Sequence, residues 1–520
     1  MKNKFLIISI LISFYSYSQN PLISEDSFKQ KEWVDRVYNN LSLDERIGQL
    51  YTVWVATRYG EEEIEHISKL IRDYHLGGLI FSLGNIKDQA IAINKFQKLS
   101  KVPLLISMDA EWGIGMRLRD AFSFPYNMTL GAIQDDKLIY EVGKRIGYHA
   151  KRLGVQINFA PVVDINTNPR NPIIGFRSFG EDKFNVASKA LNYLKGMHYY
   201  GIMGAAKHFP GHGDTETDSH LTLPSINFSK ERINEVELYP FKELINNNLD
   251  GIMTAHLNIP NLDKTKISTL SKKVINNLLI EDLNFKGLVI TDALDMKAIV
   301  DFSKGEHQDV AALNAGNDLL LMPTDIEKSI KEIKKALKKG KIKPKRLEDA
   351  VKKNLMAKFK SGLDNFKPIK LENIVEDLNQ DEDFALLDRL AEESITLVKN
   401  SNSNLPLTIS NDKPIGYINF GDDTFDAFLS YMKKYDDVYH VNSLNNDNLS
   451  EKAKDYKKII IGLHKSDKSP FGEYKFTPDE ISIINDLKNS NDITLVVFSK
   501  PYSMLDIDIN GIESILIAYQ

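Results

Sequence analysis

The sequence predicts an α/β protein, a (β/α)8 barrel followed by a second, smaller α/β sandwich domain that is incomplete at its end. Three observations predict it. At 520 residues the chain is too long for one ordinary core and calls for about two to three domains. Between residues 50 and 325, short apolar runs alternate with amphipathic helical stretches, as parallel strands require, because each crossover is usually a helix. Polar clusters follow these runs directly, where a barrel carries its chemistry. The expected division is a signal peptide over 1–18, the barrel over 19–361, a linker over 362–385 and the sandwich domain over 386–520.

The chain opens with Lys2 and Lys4, an apolar run over 5–15 and then Ser16, Tyr17 and Ser18, the outline of a signal peptide. A buried N-terminal helix is the alternative, but lysines before an uninterrupted apolar block suit translocation better than an amphipathic surface. The run is shorter than the roughly 20 residues that span a bilayer, and no later run approaches that length. The mature protein is therefore expected in the periplasm or outside the cell, with no membrane span. Eight strand-like runs follow, over 50–56, 78–82, 103–108, 156–163, 202–206, 251–255, 287–291 and 318–322. They suit a barrel, whose usual length is about 250 residues; on pattern alone a doubly wound open sheet is the alternative. The lysine-rich stretch 328–345 reads as a solvated helix with leucine and isoleucine on its inner side. The polar segment around Pro368 reads as an interdomain linker. Beyond it the alternation resumes over 394–398, 415–420, 458–463, 493–499 and 512–518. The last run ends almost at Gln520 with nothing to cover it, so the natural chain is expected to continue.

Composition narrows the function classes. A hydrophobic content of 42%, 26% charged residues and a net charge of -5 describe ordinary globular material without the basic stripe that phosphate backbones require, so nucleic acid is not an expected partner. The absence of cysteine excludes disulfides, thiolate metal sites and a cysteine nucleophile.

The densest cluster of chemistry is Lys207-His208-Phe209-Pro210-Gly211-His212-Gly213-Asp214-Thr215-Glu216-Thr217-Asp218-Ser219-His220. Glycine and proline forbid a regular helix while histidines and acids crowd one loop. In extended backbone an Asp-x-His spacing points both side chains the same way. Asp218 could then accept from one nitrogen of His220, fixing its tautomer and supporting the imidazolium while the other nitrogen exchanges a proton with substrate. His208 and His212 could instead be loop-stabilising hydrogen bonders. A zinc site from His208, His212, Asp214 and His220 is equally compatible with the spacing.

In the second cluster, Gly287-Leu288-Val289-Ile290-Thr291-Asp292-Ala293-Leu294-Asp295-Met296, an apolar strand ends in a carboxylate. An acid there costs burial unless it has a task or a partner. Glycosidases need one carboxylate at the sugar carbon and a separate proton donor for the departing oxygen, and Asp292 with His220 could fill those roles. Asp292 could also cap a following helix, the reading preferred for Asp295.

Together the two motifs make the chain resemble glycoside hydrolase family 3, and more narrowly its β-N-acetylglucosaminidases, over about residues 41–322. The resemblance implies a barrel with a covalent aspartate mechanism, Asp292 in the nucleophile's place and Asp218 with His220 as the acid/base dyad. It further implies that Asp109, in Ser-Met-Asp-Ala-Glu, and Arg117 contact the sugar hydroxyls and the acetamido side, that Arg177 belongs to the site, and that Lys207 and His208 clamp sugar hydroxyls. Arg177 could alternatively pair with Glu181 or Asp182. Trp112, Ile114 and Gly115 depart from the family pattern, so the shape of the pocket there is not carried over. The implied partner is a glycan containing N-acetylglucosamine, from cell-wall fragments or chitin oligomers, with no cofactor and no metal. The rival readings are β-glucosidase, phosphorolysis, a metal-dependent hydrolase and a carbohydrate-binding scaffold.

Overall fold

The structure, a computed structural model, describes residues 20–520 apart from 216–222, 297–298, 300–305, 408–413, 442–448, 467 and 473. The expected signal peptide lies outside the described residues, as do Asp218 and His220. No helix among the described residues is long and apolar enough to cross a membrane.

Eight parallel strands form the first sheet: β1 (Tyr51–Val55), β2 (Gly78–Phe81), β3 (Leu105–Met108), β4 (Ile157–Asn158), β5 (Met203–Phe209), β6 (Gly251–Thr254), β7 (Leu288–Thr291) and β8 (Leu320–Leu321). Their order is β7-β6-β5-β4-β3-β2-β1-β8, and a bridge between Ile290 and Leu319 joins the two ends. The Thr291 N–H donates to the Leu319 carbonyl at 3.0 Å across that seam. The sheet is thus a nearly closed barrel rather than an open doubly wound sheet. Each expected run contains its strand except at β5, which continues three residues past the 202–206 run to Phe209, and the other strands are shorter than their runs.

Alternation along the strands sorts the core. Ile80, Leu105, Ile157, Met203, Met253 and Ile290 fill the barrel interior, and Leu22 with Leu363 joins that cluster. Their neighbours Leu79, Phe81, Ile106, Met108, Ile252 and Val289 pack outward in the cluster shared with the surrounding helices. A period of two with both faces covered is what a barrel imposes, so its strands read as continuous apolar runs. The lysine-rich stretch 328–345 is two helices rather than one: Ile326–Lys338, with Ile326, Ile330, Ile333 and Ala336 buried at helical spacing, ends before a turn at Gly340, and Lys345 belongs to the next helix, Pro344–Lys360.

The segment 362–385 joins the barrel to the second sheet as a fastened strap rather than free chain. Arg152 holds the Lys370 and Glu372 carbonyls and pairs with Asp377 at 2.8 Å, and Asn94 exchanges two bonds with the Ile369 backbone. Helix Asp381–Ser394 continues across position 386. Burial would raise the Asp383 carboxyl, but bonds from His149 and Arg145 prevail and hold it at about 2.

The second sheet has six strands: β9 (Thr396–Asn400), β10 (Ile415–Gly421), β11 (Val438–His440), β12 (Lys458–His464), β13 (Asp492–Phe498) and β14 (Ile512–Ile517), in the order β11-β10-β12-β13-β14-β9. All neighbours run parallel except β14 and β9. Strand β11 escaped the sequence reading because three residues, one of them buried, carry no period. Trp112, Tyr126, Met128 and Phe176 of the barrel share a core with Tyr474, Phe476 and Tyr519 of this domain. The Phe176 and Tyr474 rings meet edge to face at 4.9 Å.

Candidate active site

The carboxyl ends of the barrel strands open into a cavity of about 600 Å³. Asp109 stands one residue after β3, Lys207 and His208 lie within β5, and Asp292 follows β7 directly. Arg117 and Arg177 come from the loops after β3 and β4, and all six residues line this one cavity. Trp54, Ile80, Met253 and Leu321 supply apolar wall.

Lys207 is the hub. Its ammonium meets Asp109 at 2.7 Å and Glu111 at 2.8 Å. Arg117 closes on the other oxygen of Asp109 at 2.9 Å. Arg177 grips Glu111 with two parallel bonds of 2.7 and 2.9 Å, the fork geometry that best restrains a guanidinium. Burial would push Asp109 and Glu111 up, but the Lys207, Arg117 and Arg177 charges keep both below the usual carboxylate range. The expected alternative partners of Arg177 are not used. Asp182 instead caps helix Lys183–Tyr199 by accepting from the Asn185 N–H at 2.8 Å.

His208 is set by Asp164, a residue buried directly after the 156–163 run. The Nδ1 proton goes to the Asp164 carboxylate at 2.6 Å, while Nε2 faces Arg177 at 3.3 Å, where a guanidinium can only donate. The orientation of the ring is therefore fixed from both sides. Asp164 also accepts the backbone N–H groups of His208 and His212, at 3.2 and 2.7 Å, so one carboxylate shapes the start of the loop. His212 lines the cavity with Nδ1 at 2.8 Å from the Thr215 hydroxyl; burial, with the adjacent His208, brings it down to about 4. Gly213 is required here, since a Cβ would lie 1.8 Å from the Ile165 carbonyl oxygen.

Of the residues weighed as zinc ligands, His208 spends Nδ1 on Asp164, and Asp214 accepts from the Thr167 hydroxyl at 3.1 Å. Among the described residues no three His, Asp or Glu side chains converge as a metal-binding group.

Asp292 accepts the N–H of the next residue, Ala293, at 2.8 Å, whereas a helix cap accepts from two or three residues on. Its carboxylate is partly exposed to the cavity, and Asp295 lines the same space. Burial would raise Asp292, but His256, His208, the Ala293 N–H and Lys207 outweigh it and keep the acid below its ordinary range. His256, close after β6 and fully buried, donates from Nε2 to the Ala293 carbonyl at 2.9 Å and so holds the residue whose N–H meets Asp292. An ionised carboxylate beneath a cavity ringed by oriented donors and acceptors can attack an electrophilic carbon of a bound polyol.

Three buried members of this network, Glu111, Asp164 and His256, had a sequence signal but no assigned role. Each is a polar residue at or just after an apolar run, and nothing in one dimension says which charge it meets. Glu111→Ala strands Arg177 in the interior with no partner for its fork; the expected cost is about 3 to 5 kcal/mol of stability, with Glu111→Gln losing less because it keeps the shape. Urea midpoints of the two variants, measured beside the native protein, check this; an unchanged midpoint for Glu111→Ala would contradict it.

The comparisons with known proteins bear on this geometry. Residues 42–356 match the model of the glycosyl hydrolase family 3 N terminal domain. The chain belongs to glycoside hydrolase family 3. It is 35% identical over 331 residues to beta-hexosaminidase A of Pseudoalteromonas piscicida, covering 57% of this chain and 55% of that protein. The chain thus spans little more than half the length of that relative. It is 34% identical over 276 residues to a beta-hexosaminidase of Haemophilus influenzae strain PittEE, covering 51% of this chain and 77% of the relative. A solved family 3 beta-N-acetylglucosaminidase from Paenibacillus sp. str. FPU-7 superposes with a TM-score of 0.76 at 29% identity, over 92% of this chain and 94% of that one. A solved beta-glucoside phosphorylase shares the fold, with a TM-score of 0.81 at 23% identity over 95% and 91% of the two chains.

Proposed function

We propose that this family 3 protein is an exported retaining β-N-acetylhexosaminidase. It releases terminal β-linked N-acetylglucosamine from peptidoglycan fragments or chitin oligomers through a glycosyl-aspartate intermediate. In this reading Asp292 attacks the anomeric carbon while His220, supported by Asp218, protonates the leaving oxygen. His220 then takes a proton from the water that releases the sugar with retained configuration. The ion-paired Asp109, Arg117, Lys207, Arg177 and His208 hold the sugar, because oriented charged donors and acceptors match hydroxyl and amide groups.

The observation that carries the reading is that Asp292 opens into the same cavity as Lys207 and His208, although 84 residues separate 208 from 292. The relatives named beta-hexosaminidase favour the acetamido sugar. A second reading, action on glucosides as well, draws on a 29% identical relative named beta-N-acetylglucosaminidase/beta-glucosidase from Cellulomonas fimi, matched over 72% of this chain.

Aryl β-N-acetylglucosaminide and aryl β-glucoside reporters, each assayed with and without chelator, test both. The expected result is hydrolysis of the acetamido sugar, weaker hydrolysis of the glucoside and no effect of chelator. Preference for the glucoside, or loss of activity with chelator, would overturn the primary reading. Adding phosphate and finding sugar 1-phosphate would identify phosphorolysis instead.

A further inference from the structure

Among the described residues, those lining the site cavity belong to the barrel, between Trp54 and Met322, with the exception of Phe471. Phe471 comes from the second domain, on the connection between β12 and helix Pro478–Leu487. Phe471 is 53% exposed, so its ring is accessible where it borders the cavity. Tyr474, three residues on, is buried in the core shared by the two domains and packs on Phe176, so the barrel fixes where this connection stands.

Phe471 also fronts two further cavities. One, of about 820 Å³, begins where Met116 and Arg117 leave the site cavity and continues past Trp112, Tyr126 and Lys468. The other, of about 310 Å³, lies toward Arg170 and Tyr502. Within the site cavity the proposed nucleophile is at a strand end, and a retaining displacement expels the leaving group on the side of the sugar away from it. A terminal sugar held by Lys207 and Asp109 thus directs its leaving group away from the strand end that carries Asp292, into the cavity that Phe471 helps to line.

We infer that Phe471 is a stacking platform for the sugar on the leaving-group side, and hence that the substrate is a β-linked disaccharide or longer glycan rather than a glycoside of a small alcohol. This rests on the glycosidase reading above. A pyranose ring presents a face of C–H groups, and an exposed aromatic ring where these three cavities meet covers that face while leaving the hydroxyls in contact with water. Arg117, which borders both cavities, lies where it can reach groups on either side of the cleaved bond.

The test measures kcat/KM for the full chain, Phe471→Ala and Phe471→Trp on two substrates. These are the β-1,4-linked disaccharide of N-acetylglucosamine and β-N-acetylglucosaminyl fluoride, whose leaving group has no face to stack. The expected result is a loss in Phe471→Ala about tenfold larger on the disaccharide than on the fluoride, the size of one aromatic contact, with Phe471→Trp restoring most of it. Equal losses on the two substrates, or no loss on the disaccharide, would overturn the inference. A native protein active on the fluoride and inert on the disaccharide would overturn it while sparing the glycosidase reading. Inactivity on both would overturn that reading and this one together.

Discussion

Asp292→Ala is expected to lose about four orders of magnitude or more in kcat on an aryl β-N-acetylglucosaminide, because removing a covalent nucleophile leaves only binding and residual electrostatics to act. The fold should survive, since the carboxylate sits at the cavity surface and accepts from the backbone beside it. Its environment sets a second signature. Burial alone would raise the acid, but His256, His208 and Lys207 hold it below its ordinary range, so the proposed nucleophile stays ionised to lower pH than an ordinary aspartate does. Any loss of kcat/KM at higher pH on the acid side must then come from another group. Treating the native protein with a 5-fluoro N-acetylglucosaminide bearing a good leaving group, which keeps the 2-acetamido group, should add one glycosyl unit to its mass, and the Asp292→Ala variant should stay unlabelled. Equal turnover by Asp292→Ala and the native protein would end the proposal.

His220→Ala is expected to cost about 10² to 10⁴ in kcat, the span of general acid and base catalysis, and the cost should depend on the leaving group. An alkyl or sugar leaving oxygen needs a proton as it departs, so those substrates should fall furthest. A dinitrophenyl leaving group departs without help, so its first step should survive while the release of the glycosyl-enzyme by water slows. A rapid burst followed by slow turnover on that substrate, absent in the native protein, is the expected trace. A uniform loss on all leaving groups would assign His220 to binding. Asp218→Asn should reproduce a milder form of the same pattern, because a neutral amide no longer supports the imidazolium.

The barrel was legible because each strand is buried on both faces and so registers as an unbroken apolar run, with helical periods between. Its closure was expected from the eight runs and the family motifs, but the pairings that make the seam, such as the Ile290–Leu319 bridge and the Thr291 N–H on the Leu319 carbonyl, were not legible. Asp109, Arg117, Arg177, Lys207 and His208 were named from motifs, and the structure gathers them around one cavity with Asp292. Their partners were harder to find. The local neighbours Glu181 and Asp182 looked suitable for Arg177, yet its partner Glu111 lies 66 residues away. Phe471 gave no signal, because an exposed phenylalanine on a polar connection resembles any other surface residue.

The sequence by itself determined the alternation of strands and helices, the positions where chemistry sits at strand ends, and the family motifs that connect them. Those are local properties, written in side-chain period and in which residues follow a run. Only the tertiary structure decided which charges neutralise one another and which domain closes the site. Glu111, Asp164 and His256 take their meaning from charges and backbone groups brought beside them by barrel closure. An ion pair depends on distance in space, and closure brings strands far apart in sequence within a few ångströms of each other.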